Sequence, residues 1–324
     1  MLQLKRFLKL FLTVLLVLYH SSPHAGVLHF AWDNDLLVAK DRGYTNGLRL
    51  SWLGQAKPAP NTASMHWLPG FSLLNDSPQQ AYSVSLRQSI ITPEDIETVP
   101  PVLNDLPYAG HLSFDTGVFK WTRNTLIGYE FSLGVVGPES GAESTQRWFH
   151  KMIGSSRPEG WHHQLGTDWQ AGISTTFGQR FSLPKINSLE QEWILMGRGS
   201  LDTYRTGAEL GVSWRLGKNL PFNFMPDYAS LSSAAALPGL FEHNLSGWSI
   251  FAGASSEWVP HSYLGKNSSP YQYRQEQLVW HAGIGAALHG KNWHLALVLR
   301  ASTDQDVTHD DALTFGTVSM SWQF

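Results

Sequence analysis

Apolar and polar residues alternate one by one through much of the chain, most plainly at residues 317–324. There Val318, Met320, Trp322 and Phe324 interleave with Thr317, Ser319, Ser321 and Gln323. A period of two puts the apolar set on one face of an extended strand. The same reading predicts strands over 27–32, 45–54, 82–90, 110–121, 126–136, 164–177, 189–197, 205–216, 248–259, 277–289, 293–301 and 313–324. That is about twelve, an even number, as a closed antiparallel barrel with both chain ends on one side requires. Many of these strands place Gly, Ser or Thr between apolar residues, as in the run from Gly207 to Trp214, which suits a wall with lipid outside and a packed or polar interior. Trp52, Trp121, Trp214, Trp258 and Trp293 stand near strand ends and are expected to form interfacial girdles. The predicted fold class is all-β, a transmembrane antiparallel barrel of about twelve strands.

Parity assigns each connection to one end of such a barrel. The short breaks at Arg123-Asn124 and Gly290-Lys291 fall at the periplasmic end, and so do two long connections, 55–81 and 217–247. The outer connections 33–44, 91–109 and 137–163 collect the unusual residue clusters.

Upstream of the strands, Lys5, Arg6 and Lys9 precede an apolar run from Leu10 to Tyr19 and then a small residue, Ala25. This is the pattern of a secretory signal peptide cleaved after Ala25, because a membrane anchor needs about 20 apolar residues. Residues 1–25 are therefore expected to be removed and 26–324 to form the barrel. Only 15% of the 324 residues are charged and the formal net charge is −3, so no basic excess offers itself to nucleic acid. The absence of cysteine excludes a disulfide framework, a thiolate metal site and a cysteine nucleophile together. A C-terminal strand ending in Phe resembles the closing strand of bacterial outer-membrane barrels. That resemblance implies recognition by the barrel assembly machinery.

Three clusters carry candidate chemistry. Asp33-Asn34-Asp35 at the top of the first strand faces Asp41-Arg42-Gly43-Tyr44-Thr45-Asn46-Gly47 on the second. Carboxylate, amide and hydroxyl oxygens are hard ligands suited to calcium; the same residues also read as an Asn/Asp turn with a Gly-rich return. The second cluster, Thr92-Pro93-Glu94-Asp95 and Asp105-Leu106-Pro107-Tyr108-Ala109-Gly110, is punctuated like a structured loop and reads better as a wall than as chemistry. In the third, Gly141 to His150 followed by Pro158-Glu159-Gly160-Trp161 and Gln164, a short amphipathic helix is expected between the glycines, and i, i+4 spacing sets Gln146 and His150 on one face. Histidine can act as a general base near neutral pH, although most of the 14 histidines must simply be surface residues.

Taken in order, Asn-Asp at 34–35, Asp-Arg-x-Tyr-Thr-x-Gly at 41–47, Thr-Pro-Glu-Asp at 92–95, Pro-Tyr-Ala-Gly at 107–110, Gln-x-x-x-His at 146–150 and Gly-Trp-x-x-Gln at 160–164 resemble the lipid A 3′-O-deacylase family of outer-membrane barrels. The resemblance implies a twelve-stranded barrel in the Gram-negative outer membrane, with an active site between its wall and an outer-loop helix. It implies that His150 activates water, that Asp35 helps to hold calcium, and that Asn34, Thr45 and Gln146 complete the site, which faces the outer leaflet and takes lipid A or lipopolysaccharide as substrate. Two departures stand out: Leu106 where the family often has a basic residue before Pro-Tyr-Ala-Gly, and His162 where it has an acidic one. The first bears on which lipid A form is accepted. The rival expectations are an outer-membrane phospholipase, for which no convincing Ser–His pair is found, and a porin or structural barrel without catalysis.

Overall fold

The computed structural model describes residues 26–34, 43–59, 68–74, 78–224, 245–303, 306 and 313–324, with backbone alone for 43–45. The expected signal segment 1–25 lies outside the described residues. Twelve antiparallel strands form one closed wall: β1 Gly26–Asn34, β2 Gly43–Gly54, β3 Gln79–Thr92, β4 Ala109–Trp121, β5 Thr125–Val136, β6 Asp168–Ile186, β7 Leu189–Asp202, β8 Arg205–Lys218, β9 Gly247–Ser262, β10 Leu278–His289, β11 Trp293–Ser302 and β12 Leu313–Gln323. Each strand pairs with its neighbours in sequence, except that β1 pairs with β12. A two-residue strand, Lys57–Pro58, adds itself to the start of β3. No helix among the described residues is long and apolar enough to cross a membrane.

The alternation read from sequence is the phase of this wall. On β11, Leu295, Leu297 and Leu299 are exposed on the outside, and His294, Ala296 and Val298 are buried within. Leu210 at 68% and Ile284 at 61% exposure belong to the same outer belt. A continuous apolar belt of this kind matches hydrocarbon as its solvent. Strand β6 starts four residues later than expected and runs nine further, to Ile186, and in that extension Arg180 points inward. Its Nη2 lies 2.7 Å from Glu192 Oε2.

At the end that carries the chain termini, the near end, the lumen is dry. Phe119, Trp121, Leu126, Ile194, Met196 and Phe224 belong to one buried cluster there. Trp121 is 2% exposed, so the expectation that it joins a surface girdle is corrected: it packs inside. The segment after β8 turns back into the barrel, where Arg215 donates to Asn223 Oδ1, to the Pro221 carbonyl and to Glu192. With Arg215 at 1% and Glu192 at 3% side-chain exposure, Glu192→Ala strands two guanidinium groups without their carboxylate. A loss of about 3 to 5 kcal/mol is expected, measurable by urea unfolding in lipid vesicles. Toward the far end the lumen becomes a network of charges, with Arg205 2.8 Å from Glu257 and Arg87 3.9 Å from Asp115.

The long near-end connection after β2 also has a use. Its short 3₁₀ turn Phe71–Leu73 lies on the outside of the wall, packed with Leu74 on Ile127, and Val118 and Tyr129 join the cluster. The Lys120 Nζ donates to the Phe71 carbonyl at 2.7 Å and the Tyr129 hydroxyl to the Pro69 carbonyl at 2.6 Å. An outward lysine at a barrel's edge is thereby satisfied by backbone rather than left against lipid.

Candidate active site on the outer face of the far end

Cross-strand pairing sets four outward residues in one row: Asn34 pairs with Asn46, Asn46 with Ile90 and Ile90 with Gly110. One step nearer the termini lies a second outward row, Trp32, Leu48, Gln88 and Leu112. Above them lies the expected loop helix, α1 Ala142–Ile153. It follows the 3₁₀ turn Pro138–Ser140 and is bounded by Gly141 and Gly154, both with left-handed backbone, φ 71° and 74°. Glycine adopts that conformation without steric cost.

Ala142, Gln146 and His150 are the buried residues of α1. Eight helical residues advance about 12 Å, and three strand spacings are about 14 Å, so this stripe runs the length of the row from Gly110 to Asn34. Both ends of the helix are pinned. At its start, a Cβ on Gly110 would lie 2.1 Å from Ser140 Oγ and 2.3 Å from Ala142 Cβ, and the Gln88 side-chain amide donates to the Ser140 carbonyl at 2.7 Å. At its end, Phe149 packs edge-on against Trp32, with ring centroids 5.5 Å apart. His150 is thus carried to the Asn46–Asn34 end of the row.

His150 is buried, with Nδ1 2.6 Å from the Ser156 carbonyl oxygen. A carbonyl can only accept, so Nδ1 carries the proton and Nε2 holds the lone pair of the neutral ring. Gln146, also buried, is oriented by Trp161, whose Nε1 donates to Oε1 at 2.7 Å. Its side-chain NH₂ has no hydrogen-bond partner among the described residues. Trp161 is held in turn by Tyr108, edge-on at 5.2 Å. The Tyr108 hydroxyl donates to the Ile96 carbonyl at 2.9 Å, and burial, the largest cause, pushes its pKa up to about 12. It remains a donor at any physiological pH. At Gly160 a Cβ would come within 2.2 Å of the Tyr108 ring. The Pro-Tyr-Ala-Gly and Gly-Trp motifs therefore build the support that fixes Gln146.

The acidic residues of the second outer loop brace that loop. Asp95 accepts from the Glu97 and Thr98 amides at 2.9 and 3.0 Å and from the Thr98 hydroxyl at 2.5 Å. These bonds, the Thr98 side chain foremost, hold its carboxyl below the usual range. Asp105 accepts from the Glu94 amide at 2.8 Å. The expectation of a wall rather than chemistry fits this arrangement.

The first cluster divides. Asp33 accepts from the Thr317 hydroxyl at 2.6 Å, on the inward face, whereas Asn34 is buried on the outward face beneath the loop layer. Asp35, Asp41 and Arg42 lie outside the described residues, and Thr45 sits where the β2–β3 register shifts, between Tyr44 and Asn46. Among the described residues no group of three or more His, Asp or Glu could hold a metal ion. Oxygen donors are nevertheless present in the row: Asn46 Oδ1 is buried without a partner among the described residues, beside Asn34. Amide oxygens of this kind fit a hard cation such as calcium. Asn46 stands in the first cluster but is not singled out by the sequence reading, because the motif Asp-Arg-x-Tyr-Thr-x-Gly leaves its position open. Its cross-strand partner, Asn34, is the signal that finds it.

Residues 7–324 match the family model described as outer membrane protein LpxR. LpxR from Salmonella typhimurium is similar in fold, with a TM-score of 0.73, 17% sequence identity, and coverage of 91% of this chain and 99% of that one. The β domain of the Bordetella autotransporter BrkA matches at a TM-score of 0.43 and 10% identity, covering 93% of this chain and 99% of that one. No curated protein matches by sequence. The family match over nearly the entire chain, on a closed barrel whose outer face carries the helix of Gln146 and His150, makes the chain a member of the outer membrane protein LpxR family, the lipid A deacylase family that its motifs resemble.

Proposed function

We propose that this outer-membrane protein hydrolyses the 3′-linked acyloxyacyl ester of lipid A, with His150 activating the water. The observation that carries the reading is the His150 ring: its Nδ1–H is committed to the Ser156 carbonyl, and Nε2 is the base of a neutral imidazole on a wall that faces lipid. Nε2 takes a proton from water, and the hydroxide adds to the ester carbonyl carbon. The free NH₂ of Gln146 donates to the oxygen that becomes negative, a stabilisation realised mainly in the transition state. Collapse of the tetrahedral intermediate breaks the C–O bond, and the imidazolium returns its proton to the departing alkoxide. The products are a fatty acid and the sugar hydroxyl. Asp35, with the amide oxygens of Asn34 and Asn46 and with Thr45, would hold calcium, which supplies Lewis-acid polarisation of the carbonyl when bound.

A porin reading meets the aromatic and aliphatic cluster buried in the lumen at the periplasmic end, which includes Phe224 with 0% exposure. The test is a mass spectrum of lipid A from cells with and without the expressed protein. Loss of the mass of the 3′-linked acyl group is expected, and an unchanged spectrum would refute the reading. Chelation should abolish release of fatty acid by the purified protein. Calcium should restore it better than zinc, because oxygen ligands prefer hard cations. Full activity in chelator removes the metal from the mechanism.

A further inference from the structure

The buried stripe of α1 uses one side of the helix, and the other two flanks differ in kind. At about 100° per residue, Phe149, Thr145, Met152 and Trp148 succeed one another around one flank, and Glu143, Arg147 and Lys151 around the other. Trp148 is 64% exposed and Met152 59%; on the opposite flank Arg147 Nε pairs with Glu143 at 3.1 Å. The wall decides which flank points where. Phe149 descends onto Trp32, in the row on the periplasmic side of the one beneath the helix. The next outward row in that direction is Phe30, Leu50, Leu86 and Phe114, with Phe30 exposed at 44%. The apolar flank therefore opens onto the lipid-facing belt, and the charged flank is turned away from it.

We propose that α1 is an interfacial helix seated in the outer leaflet, with Trp148 and Met152 in the hydrocarbon, forming with Phe149 and Trp32 a continuous apolar ramp from the bilayer to His150. The occupant of this flank is lipid acyl chain, because the flank continues the lipid-facing belt, its polar members Thr145 and Gln88 bond to the Gly141 and Ser140 carbonyls, and its other side carries the charges that an interfacial helix keeps in water. An acyl chain then enters the site without crossing water. Trp148 and Met152 are positioning residues for substrate delivery. That delivery role rests on the deacylase reading; the seat of the helix does not.

The chain has no cysteine, so Trp148→Cys, Met152→Cys, Arg147→Cys and Lys151→Cys each place a single nitroxide in the full-length protein. In vesicles of phosphatidylethanolamine and phosphatidylglycerol, labels at 148 and 152 should be relaxed by oxygen and shielded from a water-soluble nickel chelate. Labels at 147 and 151 should show the reverse. Nickel access at all four positions, or shielding from both reagents as under a second copy or a partner protein, overturns the proposal. The paired variant Trp148→Glu, Met152→Glu should release fatty acid from lipid A in those vesicles about tenfold more slowly or worse, yet act normally on lipid A dispersed in excess detergent. Equal loss in both overturns the ramp. Absence of release by the unsubstituted protein in both counts against the deacylase reading alone, and the label depths still decide the seat of the helix.

Discussion

Replacement of His150 by Gln is expected to slow deacylation of lipid A by about 10² to 10⁴, the usual worth of a positioned proton acceptor. Gln keeps a side-chain donor for the Ser156 carbonyl but offers no basic nitrogen in place of Nε2. The barrel should be unaffected, because the substitution falls on a loop helix outside the closed wall. Heat-modifiable mobility on gels and β-rich circular dichroism serve as the control. His162 and His163, in the turn Gly160–His163 and exposed, should be replaceable with little effect. A His150→Gln protein that deacylates at near the original rate would leave the fold standing and remove the proposed base.

The second large effect is expected at a residue with no side chain. Gly110 lets the start of α1 rest directly on the wall, and any Cβ there would meet Ser140 Oγ and Ala142 Cβ well inside van der Waals contact. Rotation of Ser140 offers little relief, since its hydroxyl is already bonded to the Gly137 carbonyl at 2.6 Å. Gly110→Val should therefore lift the helix. A displacement on the order of 1 Å costs about a hundredfold in a positioned site, so a fall of that size is expected, with Gly110→Ala intermediate. Because the strain is met outside the wall, gel mobility should again be normal. Ala142→Gly, which removes the opposing methyl, should restore part of the activity lost in Gly110→Ala. No recovery in the double variant would show that the helix is not held by this contact.

Much of the wall was legible along the chain. The expected strand 293–301 differs from β11, Trp293–Ser302, by one residue, and the final strand follows the phase of Val318, Met320 and Trp322. Pairing alternate side chains with opposite faces is a property of each extended segment by itself, so neighbours are not needed to see it. The helix of Gln146 and His150 was legible for a similar reason, since i, i+4 spacing and bounding glycines are local.

What local pattern could not decide was which face is which where the alternation is broken, and what lies over the outer face. Trp121 at a strand end read as a girdle residue, but Lys120 beside it is the outward one, covered by a segment 49 residues earlier. The strand expected to stop at Phe177 runs on through Arg180, whose partner Glu192 comes from the next strand. The row Asn34, Asn46, Ile90 and Gly110 spans 76 residues of sequence. Sequence alone therefore determined a twelve-stranded barrel and the loop helix that carries His150. Only closure of the sheet decided that Asn46 stands beside Asn34, that Gly110 seats the helix, and that the helix turns its apolar flank toward the outer belt, because hydrogen-bonded rows and covered faces arise from pairing between strands and have no counterpart in the period of any one of them.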